Sequence, residues 1–284
     1  MAITVRQMLK LAGEQLGNSS TPGLDAELLL SHVMNISRSG LLARLSDRLS
    51  EQAEQDFLAL LARRRRGEPV AYLLGSKGFW TLDLQVTPDV LIPRPETELL
   101  VEICLSLLPT EQGDFQVADL GTGSGAIALA LAVERPGWQL TATDFSPAAL
   151  SLAAANAAKN KLNNVSFSCG TWCEALVPDK RYDAIVSNPP YIAPDDPHLL
   201  GDSLPFEPLS ALTAPDCGLA DIRQIVAQSA DYLRSGGWLL LEHGHDQGPA
   251  VRTLLQTRDF QDIVTARDLA GLDRVTYGRR PTDE

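Results

Sequence analysis

Residues 116–134 read QVADLGTGSGAIALALAVE, and this stretch decides the class of fold. The segment through Leu120 is typical of a buried strand, and residues 121–125 form a glycine-rich turn. The segment from Ala126 onward favours a helix. A strand, a tight turn and a helix in this order are typical of a parallel sheet whose strands are joined by helices.

The same alternation continues to the end of the chain. It predicts a doubly wound, mostly parallel α/β sheet with helices on both faces. Only residues 269–273 separate the last two predicted strands, which is too short for a helical crossover, so these strands are expected to be antiparallel. The further strands are QLTATD 139–144, VSFSCG 165–170, YDAIVSN 182–188, GGWLLLEHG 236–244, IVTARD 263–268 and RVTYGRR 274–280, with helices at 146–162, 220–233 and 249–258.

The part before this sheet has a different pattern. Residues 1–75 show helical spacing of apolar side chains and predict a small all-helical N-terminal domain. Residues 76–93 are interpreted as a β-hairpin linker, with a strand around Leu82–Val86, a turn at Pro88 and Asp89, and a returning strand after it. Residues 94–284 form the third predicted region, the catalytic domain.

Composition excludes several classes of protein. No apolar run reaches the ~18 residues of a membrane span, and the N-terminus lacks a signal peptide's apolar core, so a cytoplasmic location is expected. The four cysteines form no CxxC pair, and no metal site is predicted. Residues 81–284 carry 14 Lys and Arg against 28 Asp and Glu, which disfavours stable binding to nucleic acid.

The glycine turn predicts a nucleotide-like ligand. Ligands of open α/β sheets bind at the carboxyl ends of the strands, and glycines let the backbone approach them. Asp144 ends the next strand, where its carboxylate can accept hydrogen bonds from a ribose. The turn also fits a dinucleotide fingerprint, so a nicotinamide cofactor and S-adenosylmethionine both remain open. Asp119 favours the second, because a carboxylate suits a cationic ligand. The residues concerned are Gly121, Thr122, Gly123, Ser124 and Gly125.

A second motif, Asn188-Pro189-Pro190-Tyr191, ends the predicted strand at 182–188. Proline cannot continue a strand, so the motif is either a rigid strand exit or a reaction site. The Asn188 side-chain oxygen and the Pro189 carbonyl are two acceptors that can orient a planar NH2 group and stabilise positive charge on its nitrogen. Tyr191 offers a flat face for stacking. The motif therefore predicts methylation of an amide or an adenine amine.

Several longer segments together resemble one family. They are RRRRGEPVAYLLGSKGFW, LIPRPETELLVE, DLGTGSGAIALALA, IVSNPPYI and DLAGLDRVTYGRR, and they span nearly the whole chain. The chain is similar to the HemK/PrmC family of peptide chain release factor glutamine methyltransferases. This resemblance implies a Rossmann-like class I S-adenosylmethionine-dependent methyltransferase domain after a helical substrate-recognition domain.

The resemblance also implies a reaction and its residues. Members methylate the amide nitrogen of the glutamine in the Gly-Gly-Gln motif of class-one release factors, which modulates translation termination, and S-adenosylhomocysteine is the product. The implied cofactor-binding residues are 121–125, Asp144, Trp172 and Asn188, with Trp172 near the adenine, and the NPPY residues are the implied catalytic set. Arg94, Glu96 and Glu98 match a family segment near the site, where they are equally well explained as helix-start charges.

Alternatives stay open on the sequence alone. One is glutamine methylation of a ribosomal protein, and another is methylation of the exocyclic amine of adenine in DNA or RNA. A non-catalytic binder or a nicotinamide enzyme is a further class. The expected partners are release factors as protein substrates, with no membrane association, and the chain is expected to act as a monomer.

Overall fold

The computed structural model describes residues 3–17, 19–108, 113–201 and 203–282. The chain divides into two compact units: Met1–Ser76 with Leu200–Phe206, and Lys77–Leu199 with Glu207–Glu284. The domain limits interpreted from sequence, 1–75, 76–93 and 94–284, stay a prediction. Nothing in the sequence indicated that residues 200–206 belong with the N-terminal helices.

The first unit is helical, as expected. Thr4 begins α1 with a capping box to Gln7, and Ser50 caps α4 by accepting from the Ala53 N–H at 3.2 Å. Their apolar faces meet in a core that includes Leu29, Leu30 and Phe57. A fifth short helix, α5, was not predicted. The helices are α1 Val5–Gln15, α2 Pro22–Val33, α3 Arg38–Leu42, α4 Glu51–Arg65 and α5 Val70–Leu74.

One arginine of the basic run at the end of α4 is part of this unit's interior. The Arg64 guanidinium donates to Asp25 at 2.7 Å, and both side chains are almost buried. It also donates to the Ser203 hydroxyl at 3.3 Å. Arg64 therefore links α2 and α4 to the 200–206 segment, which explains why that segment groups with these helices.

A two-stranded sheet follows, β1 Ser76–Phe79 and β2 Leu82–Gln85. The predicted hairpin was wrong in its position, because the connecting residues are Trp80 and Thr81 and the residues after Pro88 form no strand. Trp80 has φ of 56°, which is rare for a bulky residue. Its backbone N–H donates to Glu98 at 2.8 Å and its indole N–H to Glu134 at 2.7 Å. These tertiary hydrogen bonds explain a turn that local preference disfavours.

The second unit is built on a seven-stranded sheet in the order β5-β4-β3-β6-β7-β9-β8. The strands β3 to β7 are parallel, whereas β9 is antiparallel to both of its neighbours. The predicted α/β sheet and its antiparallel end are thus confirmed. The strands are β3 Gln116–Leu120, β4 Gln139–Asp144, β5 Val165–Cys169, β6 Tyr182–Ser187, β7 Leu233–Glu242, β8 Gln261–Arg267 and β9 Asp273–Arg279.

Helices cover both faces of this sheet. One core cluster joins α6 and α7 to the sheet, and a second joins α10 and α11 to it. The helix α7 is buried over most of its length, which explains why its sequence is apolar all round. The helices are α6 Glu98–Leu107, α7 Ala126–Glu134, α8 Pro147–Lys159, the single turn α9 Pro215–Gly218, α10 Ala220–Ser229 and α11 Gly248–Gln256.

The strand order places the two sequence motifs side by side. The strand β3 pairs with β6, and Leu120 lies opposite Ser187 at their carboxyl ends. The glycine turn begins one residue after Leu120, and Asn188 follows Ser187. Separately, none of the helices in the described part of the chain is both long and apolar enough to cross a membrane.

Candidate active site

A cavity of about 420 Å³ lies at the carboxyl ends of β3, β4 and β6. All of its lining residues belong to the second unit. The cavity brings most of the predicted site residues together: Gly121, Thr122, Gly123, Ser124, Asp144, Trp172, Asn188 and Pro190 line it. Gly125, Pro189 and Tyr191 are not among the lining residues.

The glycine turn is shaped by backbone conformations that suit only glycine. Gly121, Gly123 and Gly125 have φ of 72°, 56° and 88°. A side chain at Gly121 would also place its Cβ 3.1 Å from the Trp172 indole. The glycines therefore let the chain turn sharply while Trp172 packs against it.

Asp119 has a different role from the one its position suggested. The interpretation as a contact for a cationic ligand was wrong, because Asp119 is fully buried and does not line the cavity. Its carboxylate accepts from the Thr122 hydroxyl at 2.6 Å and from the Ala128 N–H at 3.2 Å. Burial raises the pKa of Asp119 to about 7. Asp119 thus holds the glycine turn against the start of α7.

Asp144 closes the turn from the neighbouring strand. Its Oδ2 accepts from the Gly123 N–H and its Oδ1 from the Ser146 N–H, both at 2.9 Å. Burial raises its pKa, and these backbone donors oppose the rise. Each carboxylate oxygen keeps a further lone pair, and Asp144 lines the cavity, so it can still accept hydrogen bonds from a ligand.

Trp172 begins a short turn after β5, has φ of 46° and packs against Gly121. Trp172 and Asp221, at the start of α10, both line the cavity, and burial raises the pKa of Asp221. Sequence reasoning missed Asp221 and also Phe145, an exposed aromatic residue that lines the cavity. Phe145 directly follows Asp144, and this position next to a predicted ligand-binding residue was the signal that could have identified it.

The NPPY segment leaves β6 as a rigid exit. The Asn188 amide Nδ2 donates to the Thr97 hydroxyl at 3.2 Å. The Tyr191 hydroxyl donates to Glu242 at 3.4 Å, and burial raises the pKa of Tyr191 well above its usual range. The Tyr191 carbonyl accepts from the Gln247 amide at 2.9 Å. Asn188 thus faces the cavity, whereas the Tyr191 side chain packs against the core on one side of the sheet.

The segment before α6 supplies one further wall of the cavity. Arg94 lines it and forms an ion pair with Glu207, which also accepts from the Ile92 N–H at 3.0 Å. This ion pair links the segment at 88–94 to the segment at 208–211, and both segments contribute residues to the cavity lining. Glu98 instead accepts from the Trp80 N–H, and Glu96 is exposed. Only Arg94 of the three predicted charges therefore lines the cavity.

His243 and the cysteines do not line the cavity. His243 is fully buried, with Nε2 2.7 Å from the Thr276 hydroxyl, and burial lowers its pKa. No cluster of His, Cys, Asp or Glu suited to a metal ion occurs among the residues that the structure describes. The four cysteines are free thiols, two buried and two exposed.

Known protein families and individual relatives resemble this chain in sequence. Residues 7–75 match the family described as PrmC N-terminal domain, and residues 96–199 match the methyltransferase small domain. The chain is 49% identical over 279 residues to the release factor glutamine methyltransferase of Coxiella burnetii, covering 98% of this chain and 99% of that protein. It is 48% identical to the Escherichia coli K12 protein of the same name, covering 95% and 97% of the two chains.

A solved structure supports the fold. The T. thermophilus 16S rRNA N2 G1207 methyltransferase, solved with AdoMet and guanosine, superposes with a TM-score of 0.54 at 22% identity. The match covers 72% of this chain and 49% of that one. At this identity the likeness concerns the fold alone.

The sheet order, the cavity at its carboxyl edge and the match to the methyltransferase small domain together define a Rossmann-like class I methyltransferase. The family can be assigned more narrowly, because the chain is nearly half identical, over almost its full length, to proteins that share the name release factor glutamine methyltransferase. The chain belongs to the release factor glutamine methyltransferase family. It is an enzyme of the methyltransferase class, as the resemblance in sequence predicted.

Proposed function

We propose that this enzyme transfers a methyl group from S-adenosylmethionine to the side-chain amide nitrogen of the glutamine in the Gly-Gly-Gln motif of class-one release factors. The observation that carries the proposal is that Asn188 and the glycine turn line one cavity at paired strand ends. The names of the full-length relatives support the choice of substrate. Methylation of this glutamine would modulate translation termination.

The cavity residues fit S-adenosylmethionine. The positive φ angles of the glycine turn bring backbone close to the cavity, and a Cβ at Gly121 would fill space beside Trp172. Asp144 offers free lone pairs for the ribose hydroxyls, and Trp172 offers an aromatic face for the adenine. When bound, this cofactor supplies a methyl group on a positively charged sulfur. Gly121, Thr122, Gly123, Ser124, Gly125, Asp144, Trp172 and Asn188 are the proposed binding residues.

The proposed role of Asn188 and Pro189 is to align the substrate amide. An amide nitrogen has a delocalised lone pair and is a weak nucleophile, so orientation decides the rate. The Asn188 Oδ1 and the Pro189 carbonyl accept from its two N–H bonds and stabilise the positive charge that develops on nitrogen. The proton that leaves the methylated nitrogen is acidic and can pass to water, so no strong base is required.

Tyr191 and Pro190 support this geometry. Because burial raises the pKa of Tyr191, its phenol stays neutral and does not act as a base. Pro190 fixes the backbone after the Pro189 carbonyl. We therefore assign Tyr191 to holding the exit of β6, and its use as a stacking face stays a prediction.

The proposal extends to partners and location. The acidic balance of residues 81–284 favours a protein substrate over stable binding to nucleic acid. A substrate that acts in translation implies the cytoplasm. We further infer that the enzyme acts as a monomer, since the residues of one chain line the whole described cavity without a contribution from a second copy.

One assay tests the proposal. The enzyme is incubated with methyl-labelled S-adenosylmethionine and purified release factor, either wild type or with its motif glutamine replaced by alanine. Label is expected on the wild-type factor and not on the replaced one. Parallel incubations with ribosomal proteins, duplex DNA and ribosomal RNA test the alternatives. Equal label on both factors, or label only on one of the parallel substrates, would contradict the proposal.

A further inference from the structure

We propose that Gln247 is a positioning residue for methyl transfer. Its side-chain amide fixes the far end of the NPPY segment and thereby the direction of the Pro189 carbonyl. This inference rests on the proposed function, because that carbonyl is one of the two proposed acceptors for the substrate amide. Gln247 lies in the loop after β7, immediately before α11, and it does not line the cavity. It belongs to none of the sequence motifs of the site.

The Gln247 carboxamide uses both of its ends. Its Nε2 donates to the Tyr191 carbonyl at 2.9 Å and to the Cys217 carbonyl at 3.0 Å. Its Oε1 accepts from the Gly244 N–H at 2.8 Å. An amide NH2 group has two hydrogens, so both are used, and a reversed amide would set its oxygen against two carbonyls. One side chain thus joins the exit of β6, the turn α9 and the exit of β7 in a single arrangement.

The turn α9 approaches the same carbonyl from another side. Asp216, Cys217 and Gly218 have φ of 56°, 54° and 80°, three successive residues in the left-handed region. A Cβ at Gly218 would overlap the Tyr191 carbonyl oxygen and would also crowd the Gln247 amide. Strained backbone of this kind persists only where its surroundings hold it, and it is concentrated at functional sites. The close approach of α9 is therefore a second, independent sign that the position of the Tyr191 carbonyl matters.

The two prolines connect this far end to the proposed acceptor. Pro189 and Pro190 have a restricted φ, so the segment is stiff and its middle follows from where its ends are held. At the near end, Ser187 is the last residue of β6, and its hydroxyl donates to the backbone of β3 at 2.7 Å. At the far end, Gln247 holds the Tyr191 carbonyl. The Pro189 carbonyl lies between these two anchor points, so the loss of either one should change its direction.

Two substitutions of Gln247 test the role. Gln247→Glu keeps the size and one acceptor but sets an oxygen against the two carbonyls, whereas Gln247→Met removes the hydrogen bonds without adding charge. In both variants we expect kcat for methylation of the release factor to fall about 10- to 100-fold, because small misplacements of reacting groups are costly. The Kd for S-adenosylmethionine, measured by calorimetry, should change less than about threefold, since the glycine turn keeps its own contacts.

Asn164→Asp is a matched control. The Asn164 Nδ2 also bridges backbone carbonyls, those of Ala132 and Arg135 at 3.3 Å and of Trp138 at 3.1 Å. Asn164 is half-buried, as Gln247 is, but it precedes β5 at the amino ends of the strands and does not line the cavity. The same change from amide to carboxylate should lower Tm in both variants, whereas Asn164→Asp should leave kcat within about threefold of wild type.

Gly218→Ala tests the same anchor from the side of α9. The added Cβ would push against the Tyr191 carbonyl, so kcat should fall about 10- to 100-fold together with Tm. Gly271→Ala is its control, because Gly271 has φ of 79° but no atom within 4 Å of an added Cβ. That change carries the same backbone strain and should lower Tm without lowering kcat. If the Gly218→Ala chain does not fold, the two Gln247 variants decide the question.

The outcomes distinguish the two proposals. If the wild-type enzyme does not label the motif glutamine of the release factor, the proposed function fails. If it does, and both Gln247 variants keep the wild-type kcat or lose no more than Asn164→Asp loses, only the positioning role fails. A Kd for S-adenosylmethionine that weakens as much as kcat falls would also overturn it, because the loss would then lie in cofactor binding.

Discussion

Two neighbouring strand exits form the centre of this enzyme, and they are held in different ways. The turn after β3 is held by its own segment and by the adjacent strand: the Thr122 hydroxyl donates to Asp119, and the Gly123 N–H donates to Asp144 at the end of β4, 21 positions away. The exit after β6 is held by distant residues, with Asn188 bonded to Thr97, which lies 91 positions away. The conformation of the first exit depends mainly on its own glycines and on the adjacent strand, whereas the second exit is held by a residue far away in the sequence.

This difference shows which parts of the site can be predicted from the sequence. Glycines at positive φ leave a signature in the residues that adopt the conformation. The orientation of an asparagine amide leaves none, because it depends on what lies beside it. If this difference holds, substitutions in the turn after β3 should mainly change stability, and substitutions at the exit of β6 should mainly change the rate of methyl transfer.

Asn188→Ala should have the largest effect. It removes the proposed acceptor, and kcat is expected to fall about 100- to 1,000-fold, with a smaller loss of affinity for S-adenosylmethionine. Single-turnover methylation measures the first and calorimetry the second. Asn160→Ala is the control, since it removes one amide bond of 2.9 Å to the Asn156 carbonyl away from the cavity. Full activity of Asn188→Ala would refute the acceptor role.

Gly125→Ala should act on stability. Gly125 has φ of 88°, and a Cβ there would lie 3.0 Å from the Leu129 Cδ1. We expect the free energy of unfolding in urea to fall by about 1–3 kcal/mol. Gly13→Ala makes a useful comparison, because Gly13 lies inside α1 with no atom within 4 Å of an added Cβ. That change should stabilise the chain by about 0.5–1 kcal/mol, and a loss of similar size at both sites would contradict the argument.

The pH dependence of stability tests the buried Asp119. Its pKa rises from 3.8 to about 7 on folding, so the folded state holds a proton that the unfolded chain releases. Its contribution to stability is therefore present below pH 3.8 and is lost as pH rises through about 7, by at most about 1.4 kcal/mol per pH unit. Unfolding in urea between pH 4 and 7 should show a smaller slope for Asp119→Asn than for wild type. An unchanged slope would show that another group is responsible.

Tyr191→Phe should have the smallest effect. It removes a hydroxyl that lies 3.4 Å from Glu242 and keeps the ring. Activity should stay within a few-fold of wild type, and the free energy of unfolding should fall by no more than about 1 kcal/mol. Tyr191→Ala, which also removes the ring, should lose far more of both. A large loss of kcat in the phenylalanine variant would assign the hydroxyl a direct role.

Much of the fold was readable from the sequence. The alternation of strands and helices and the antiparallel final strands both appear in the structure. These features depend on local propensity and hydrophobic periodicity, which are set by residues close together in the sequence. The hairpin was placed wrongly because the turn at Trp80 depends on hydrogen bonds to Glu98 and Glu134, which lie far along the chain.

The parallel sheet, the glycine turn and the rigid exit at residues 188–191 could all be predicted from the amino-acid sequence. The folded structure was needed to show that Asp119 is buried away from the cavity, that Trp172 packs on Gly121 and that Asn188 donates to Thr97. The physical reason is the range of the interactions. Backbone conformation and strand propensity act between near neighbours, whereas burial and hydrogen bonding of side chains are set by residues that meet only after the sheet has formed.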